Sequence, residues 1–193
     1  MLTGTKIKLR ALEPSDIDLL YQWENDPSIW RLSNTVVPFS KFVLEKYIAD
    51  AHLDIYTTKQ LRLMITKIKS TSPLEDSKPA CGVSLSFGEG RGEVGCIDLF
   101  DFDPNNLRAG VGILIADPSD RKKGYASEAL EQLISYCFTT LNIHQLYCNI
   151  TVDNEASIVL FEKHGFQMIG IKKDWIRNED KWIDEYVLQL INS

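Results

Sequence analysis

Apolar and polar positions alternate along Lys6–Leu12, which predicts a half-buried first strand. Pro14 and Ser15 then open a helix with Ile17, Leu20 and Tyr21 on one face, ending near Asn25-Asp26-Pro27. A second helix is expected from about Ser40 to Ala51. Ser40 serves as its N-cap, and Val43, Leu44, Tyr47, Ile48 and Ala51 form its apolar stripe. Gln60–Ile68 reads as the next strand, Ser70–Pro79 as a loop, Ala80–Phe87 as a short strand and Gly88–Gly92 as a turn. Val94–Phe102 and Arg108–Ala116 are strands on either side of the turn Asp103-Pro104-Asn105-Asn106, so the pair reads as a hairpin. Residues 70–92 separate two strands that could otherwise be neighbours, and read as an insertion on a smaller core.

The clearest periodicity lies in Gly124–Leu141. Ala126, Ala129, Leu130, Leu133, Ile134, Cys137, Phe138 and Leu141 recur at helical spacing, which predicts a helix buried along one stripe. Leu146–Val152 reads as a strand and Asn154–His164 as a helix, with Gly165 placed as its left-handed C-terminal residue. Phe166–Ile171 and Ile183–Leu190 are expected to close the sheet. Helices set between runs of strands indicate an α+β or mixed-sheet α/β fold, and 193 residues fit a single domain over 1–193.

Composition narrows the function classes. The chain is 44% hydrophobic, enough for a core, and no apolar run approaches the roughly 20 residues of a membrane helix. Met1–Arg10 lacks the apolar segment of a signal peptide, so a cytoplasmic location and no membrane partner are expected. Cys81, Cys96, Cys137 and Cys148 are widely spaced and read as free thiols. His52, His144 and His164 stand far apart, so no metal is expected. A net charge of −6 speaks against nucleic acid and is compatible with a cationic acceptor.

Two segments carry candidate chemistry. In Ile113–Ala126 a strand ends at Asp117-Pro118, and a short basic loop with one glycine enters the long helix. A helix N-terminus presents unpaired N–H groups and the positive end of its dipole, which suits a phosphate. Gly124 allows close backbone approach, and Arg121, Lys122 and Lys123 add positive charge. An ordinary strand-to-helix turn with a solvated basic run is the competing reading. In Asn154–Phe166, a strand feeds a helix capped by Asp153 or Asn154.

Together these segments resemble the GCN5-related N-acetyltransferase (GNAT) superfamily. Arg121-x-x-Gly124-x-Ala126 is similar to its pyrophosphate loop. Asn154-x-x-Ser157-x-x-x-Phe161-Glu-Lys-x-Gly165-Phe166 is similar to its second coenzyme A motif. Leu99–Ala109 and Leu141–Tyr147 resemble the spermidine and ribosomal-protein acetyltransferase branch. The resemblance implies the GNAT fold, a mixed central sheet flanked by helices, and acetyl-CoA as co-substrate. It implies that pantetheine lies along Ile113, Leu114, Ile115 and Ala116, where this strand and Leu146–Val152 splay apart. Arg121, Lys122, Lys123, Gly124, Tyr125, Ala126 and Ser127 would meet the pyrophosphate, and Asn154, Ser157, Phe161 and Lys163 would complete the cofactor site. Transfer to the amine is then direct.

An amine must lose a proton, and the carboxylates of the hairpin are candidate bases or acceptor ligands: Asp98, Asp101 and Asp103. Asp101 and Asp103 share one strand face, and Asp98 joins them only if a bulge intervenes. The competing reading makes them hairpin and turn acids facing water. Glu24 and Asp26 would add negative charge to an acceptor pocket. Many relatives carry a tyrosine acid where this chain has Phe161, which has no proton to give. The expected acceptor is a polyamine or diamine. The alternatives are a protein α-amine, a non-catalytic coenzyme A-binding domain, or a homo-oligomeric module formed through the aromatic stretch Trp175–Tyr186.

Overall fold

The computed structural model describes residues 2–33, 35–68 and 92–192, with backbone alone for 31–33. The sequence folds as β1 (Leu2–Thr3), β2 (Ile7–Ala11), α1 (Ile17–Glu24), α2 (Pro27–Ser33), α3 (Lys41–Ala49) and α4 (Ile55–Thr58). Then come β3 (Leu61–Lys67), β4 (Glu93–Asp103), β5 (Arg108–Ile115), α5 (Tyr125–Thr139), β6 (Gln145–Thr151), α6 (Glu155–Lys163), β7 (Gln167–Asn178) and β8 (Lys181–Ile191). The expected loop and strand over 70–87, Cys81 and the turn at Gly88 and Gly90 lie outside the described residues.

The strands form one sheet in the order β1-β2-β3-β4-β5-β6-β8-β7. Every neighbouring pair is antiparallel except β5 and β6, which are parallel. Side chains alternate between the faces. Ile65 and Ile97 therefore join the core under α5 and α6, with Leu130, Leu133 and Phe161. Their neighbours Met64 and Cys96 point the other way, to Leu20 and Trp23 of α1 and Leu44 and Ile48 of α3. The sheet is thus covered on both faces, as a mixed α/β domain requires.

Local chemistry explains the element ends. Ser40 Oγ accepts from the Val43 N–H and caps α3, and Gly165 takes φ +88 after α6. At Gly110 an added Cβ would come 2.2 Å from a Phe100 ring carbon. Any side chain there would have to push that ring aside. Three expected core positions prove to be outward: Tyr21, Val43 and Ala51, the last of which lies beyond the end of α3. Tyr21 is 39% and Val43 49% exposed, because Leu20, Trp23, Leu44 and Ile48 already fill the helix faces that meet the sheet. Tyr21 instead lies under Lys41, 5.5 Å from its ring centre. The closing strands β7 and β8 run longer than the alternation predicts. No helix among the described residues is long and apolar enough to cross a membrane.

Candidate active site

β5 and β6 pair only through Arg108–Gln145, Ala109–Leu146 and Gly110–Tyr147. Beyond Gly110 they separate, while β5 stays paired with β4 as far as Ile115 and β6 stays paired with β8 as far as Thr151. The split leaves the facing edges of two interior strands without their usual ladder partner, a costly arrangement unless something else satisfies them. The splay implied by the sequence resemblance is therefore present.

Two cavities open on the split. The smaller, about 180 Å³, lies beside α6 and is lined by Cys148, Asn154, Ser157, Phe161 and Ile176 among others. The larger, about 480 Å³, lies beside α1 and α3 and is lined by Trp23, Glu24, Tyr47, Arg62, Cys96, Asp98 and Phe100 among others. Both are walled by Val111, Gly112, Ile113, Asn149 and Glu185, so they meet through the gap in the sheet.

The larger cavity holds a charged cluster. Arg62 donates to both oxygens of Asp98, at 2.7 and 3.2 Å, and to Glu24. The Tyr47 ring lies 5.5 Å from the guanidinium carbon. Burial pushes the Asp98 carboxyl up from its ordinary range, with Arg62 pulling it back. Burial is the largest single influence on Arg62 and works against its charge, but the surrounding groups, Asp98 first among them, together outweigh it and hold the guanidinium well above its ordinary value. Two carboxylates therefore share one cation.

A second cluster sits where the cavities join. Glu185 is 8% exposed. Lys172 donates to Glu185 Oε2 at 2.8 Å and to Asn149 Oδ1 at 3.0 Å, and lies 4.8 Å over the Trp175 ring. These residues come from β6, β7 and β8.

The basic loop is built by local bonds. Asp117 accepts from the Ser119 N–H at 2.7 Å, and Arg121 Nε donates to the Ile115 carbonyl at 3.3 Å. Lys123 pairs with Asp120 at 2.9 Å, as does Lys67. Lys122 and Gly124 take positive φ, 62° and 87°, and Gly124 is the N-cap of α5. Lys6 donates to the Lys123 carbonyl at 3.1 Å, bringing another cation to the loop. Across from it, Ser127 Oγ and His164 Nε2 are 2.8 Å apart, with Lys163 3.5 Å from the same hydroxyl. Asn154 caps α6 by accepting from the Ser157 N–H. Phe161 is 3% exposed and packs edge-on against Phe166, with ring centres 5.0 Å apart.

The structure divides the expected acidic group. Glu24 and Asp98 come together in the larger cavity. Asp26 instead accepts from the Ser28 N–H at the start of α2 and faces a different depression, with Lys67 and Asp120. The bulge between Phe100 and Asp103 is present, but Asp101 at its turn has φ 49° and is exposed, with the Tyr147 hydroxyl 3.4 Å away. Asp103 is spent on its own turn: it accepts from the Asn105 and Asn106 N–H groups and pairs with Arg108. Neither Asp101 nor Asp103 lines the cavity. Sequence reasoning missed Lys6, Arg62, Asn149, Lys172 and Glu185, because no local motif marks them.

The cavity thiols are quiet. Burial pushes Cys148 up to about 12 and raises Cys96 as well. Both remain protonated at neutral pH and are poor nucleophiles.

Comparison with known proteins gives a consistent outcome. A family model described as an acetyltransferase (GNAT) domain matches residues 6–167. The chain is 27% identical over 187 residues to the uncharacterized N-acetyltransferase p20 of Bacillus licheniformis, covering 96% of this chain and 93% of that one. It is 27% identical over 170 residues to the spermidine N(1)-acetyltransferase of Escherichia coli K12, covering 88% and 77%. The solved spermidine N-acetyltransferase of Vibrio cholerae, in complex with CoA and spermine, superposes with a TM-score of 0.78 at 20% identity, covering 97% and 96%. At that identity the likeness is one of fold.

Proposed function

We propose, from the premise that this chain belongs to the GNAT acetyltransferase family, that it moves an acetyl group from acetyl-CoA directly to a small primary amine of the polyamine or diamine type. N-acetyl transfer as such is the activity of the family and of the relatives above. The observation that carries the finer reading is the pair of cavities joined through the split sheet, with carboxylates gathered on one side.

The open edge of β5 at Val111–Ile115 suits pantetheine, whose amides can take the place of the missing strand. The pyrophosphate fits at the start of α5, where first-turn N–H groups lack helical partners and the dipole is positive. Lys123 is balanced by Asp120, so Arg121, Lys122 and Lys6 are the better cations for it. Asn154, Ser157 and Phe161 then flank the thioester end.

The amine enters from the larger cavity. Glu24 and Asp98 supply two negative charges against the single charge of Arg62. Trp23, Tyr47 and Phe100 offer ring faces to an ammonium. A net charge of −6 favours encounter with a dication. At the gap the amine nitrogen attacks the thioester carbonyl, the C–N bond forms, the C–S bond breaks, and coenzyme A leaves as a thiolate while nitrogen loses a proton. With Cys96 and Cys148 held as thiols, an acyl-cysteine intermediate is disfavoured.

The test is a screen with acetyl-CoA against spermidine, spermine, putrescine, cadaverine, aminoglycosides and a basic peptide, followed by thiol release. Turnover with the polyamines or diamines is expected. Silence from those four amines, with acetylation of the peptide's α-amine, would overturn the acceptor assignment. Silence from every amine, with coenzyme A still bound, would leave a non-catalytic binding domain.

A further inference from the structure

We propose that Glu185 takes the proton released by the acceptor nitrogen, with Lys172 and Asn149 as its positioning residues. This assignment rests on the reading of the two cavities given above. Glu185 is the one carboxylate among the described residues that lines both of them. The other two acids of the larger cavity, Glu24 and Asp98, are bound to Arg62 on its far wall. Glu185 stands at the join, where the reacting atoms have to meet.

Its hydrogen bonding fits the role. Lys172 holds Oε2 at 2.8 Å. Oε1 has no hydrogen bond among the described residues and is the oxygen open to the acceptor. Lys172 is itself fixed by Asn149 Oδ1 at 3.0 Å and by the Trp175 face. A carboxylate whose rotamer is fixed by a cation, and whose cation is fixed in turn, is a pre-organised proton acceptor.

The chemistry needs such a group at that point. Once the nitrogen lone pair is committed to the carbonyl carbon, the N–H bond becomes strongly acidic. The proton passes to Glu185 Oε1 as the C–S bond breaks, and then to solvent. Sulfur departs as the thiolate. Phe161, on the cofactor side, has no proton to give, which is consistent with sulfur leaving unprotonated.

The rival explanation is a clamp. Lys172 and Glu185 are register partners on β7 and β8, and their ion pair could only hold the edge strand. Rate, pH profile and stability separate the two. In Glu185→Gln, coenzyme A affinity by calorimetry should be unchanged and the KM for amine should move only a few-fold. Its kcat should fall about a hundredfold, with the acidic limb of the pH–rate profile lost. In Lys172→Met kcat should fall severalfold with coenzyme A affinity kept, because the carboxylate loses the cation that fixes its rotamer, and Lys172→Arg should restore most of the rate. The assignment is overturned if Glu185→Gln keeps kcat within threefold. It is also overturned if Glu185→Gln and Lys172→Met both lose thermal stability and activity in parallel with an unaltered pH profile. If the wild-type chain acetylates no amine, the transfer reading falls and takes this one with it. If the wild type turns over and Glu185→Gln does too, Glu185 alone is misassigned.

Discussion

Arg62 and Asp98 stand directly opposite one another on β3 and β4 and are joined by two hydrogen bonds of 2.7 and 3.2 Å. The pair belongs to a three-membered cluster, since Glu24 shares the guanidinium from α1. The surplus negative charge of this cluster is what a cationic acceptor would neutralise.

Asp98→Asn keeps the volume and removes that surplus. Arg62 retains Glu24, so the fold should survive at a cost of about 1–3 kcal/mol, read by urea unfolding. The KM for spermidine should rise roughly tenfold, equal to about 1.4 kcal/mol of binding, and the wild-type KM should climb with ionic strength. Asp101→Asn should leave KM near the wild-type value, because Asp101 is exposed outside the cavity. An equal effect from both substitutions would place the acceptor elsewhere.

Gly124 has φ +87 at the N-cap of α5, a conformation that costs a β-branched residue most. An added Cβ would also come 3.0 Å from the Lys6 ammonium. Gly124→Val should weaken coenzyme A at least tenfold by calorimetry, with Gly124→Ala intermediate. Unchanged affinity would show that the loop does not hold the pyrophosphate.

Phe161 is buried against Phe166 and also lines the smaller cavity. Phe161→Ala should therefore lose about 3–5 kcal/mol of stability. Phe161→Tyr should fold, because the cavity gives the new hydroxyl room, and should turn over at least as fast as wild type. A tyrosine variant that unfolds would show the ring to be enclosed, away from the cofactor.

Burial lowers the pKa of His164 below its ordinary value. The unfolded chain therefore binds its proton more readily, and folding loses stability as pH falls below about 6.5. Above that value both states are neutral there and the contribution is complete. Melting temperatures of wild type and His164→Gln across pH 5 to 8 should converge as pH drops. A constant difference would mean that His164 does not titrate between the two states.

Much of the fold is legible in the sequence because its cause is local. Alternation marks β2, β3 and the β4–β5 hairpin, and the apolar stripe of Ala129, Leu130, Leu133 and Cys137 marks α5. The basic loop is legible for the same reason, since Gly124 and its neighbours are contiguous. The acceptor side is not local. Arg62 and Asp98 lie 36 residues apart, and Lys172 and Glu185 lie 13 apart. Only strand register brings each pair together. Proximity in sequence misled in the other direction: Asp98, Asp101 and Asp103 look like one cluster, yet the bulge and the turn send them to different surroundings. Tyr21 looked inward by spacing, but Leu20 and Trp23 had already claimed the sheet.

The claim that the split between β5 and β6 is the transfer point is tested most directly by a crystal structure of the chain with coenzyme A. The account predicts pantetheine extended along Val111–Ile115, the pyrophosphate on the loop at Gly124, and the sulfur in the gap beside Asn149 and Glu185. A thiol that ends outside this gap, with the two cavities still facing each other empty, would contradict it.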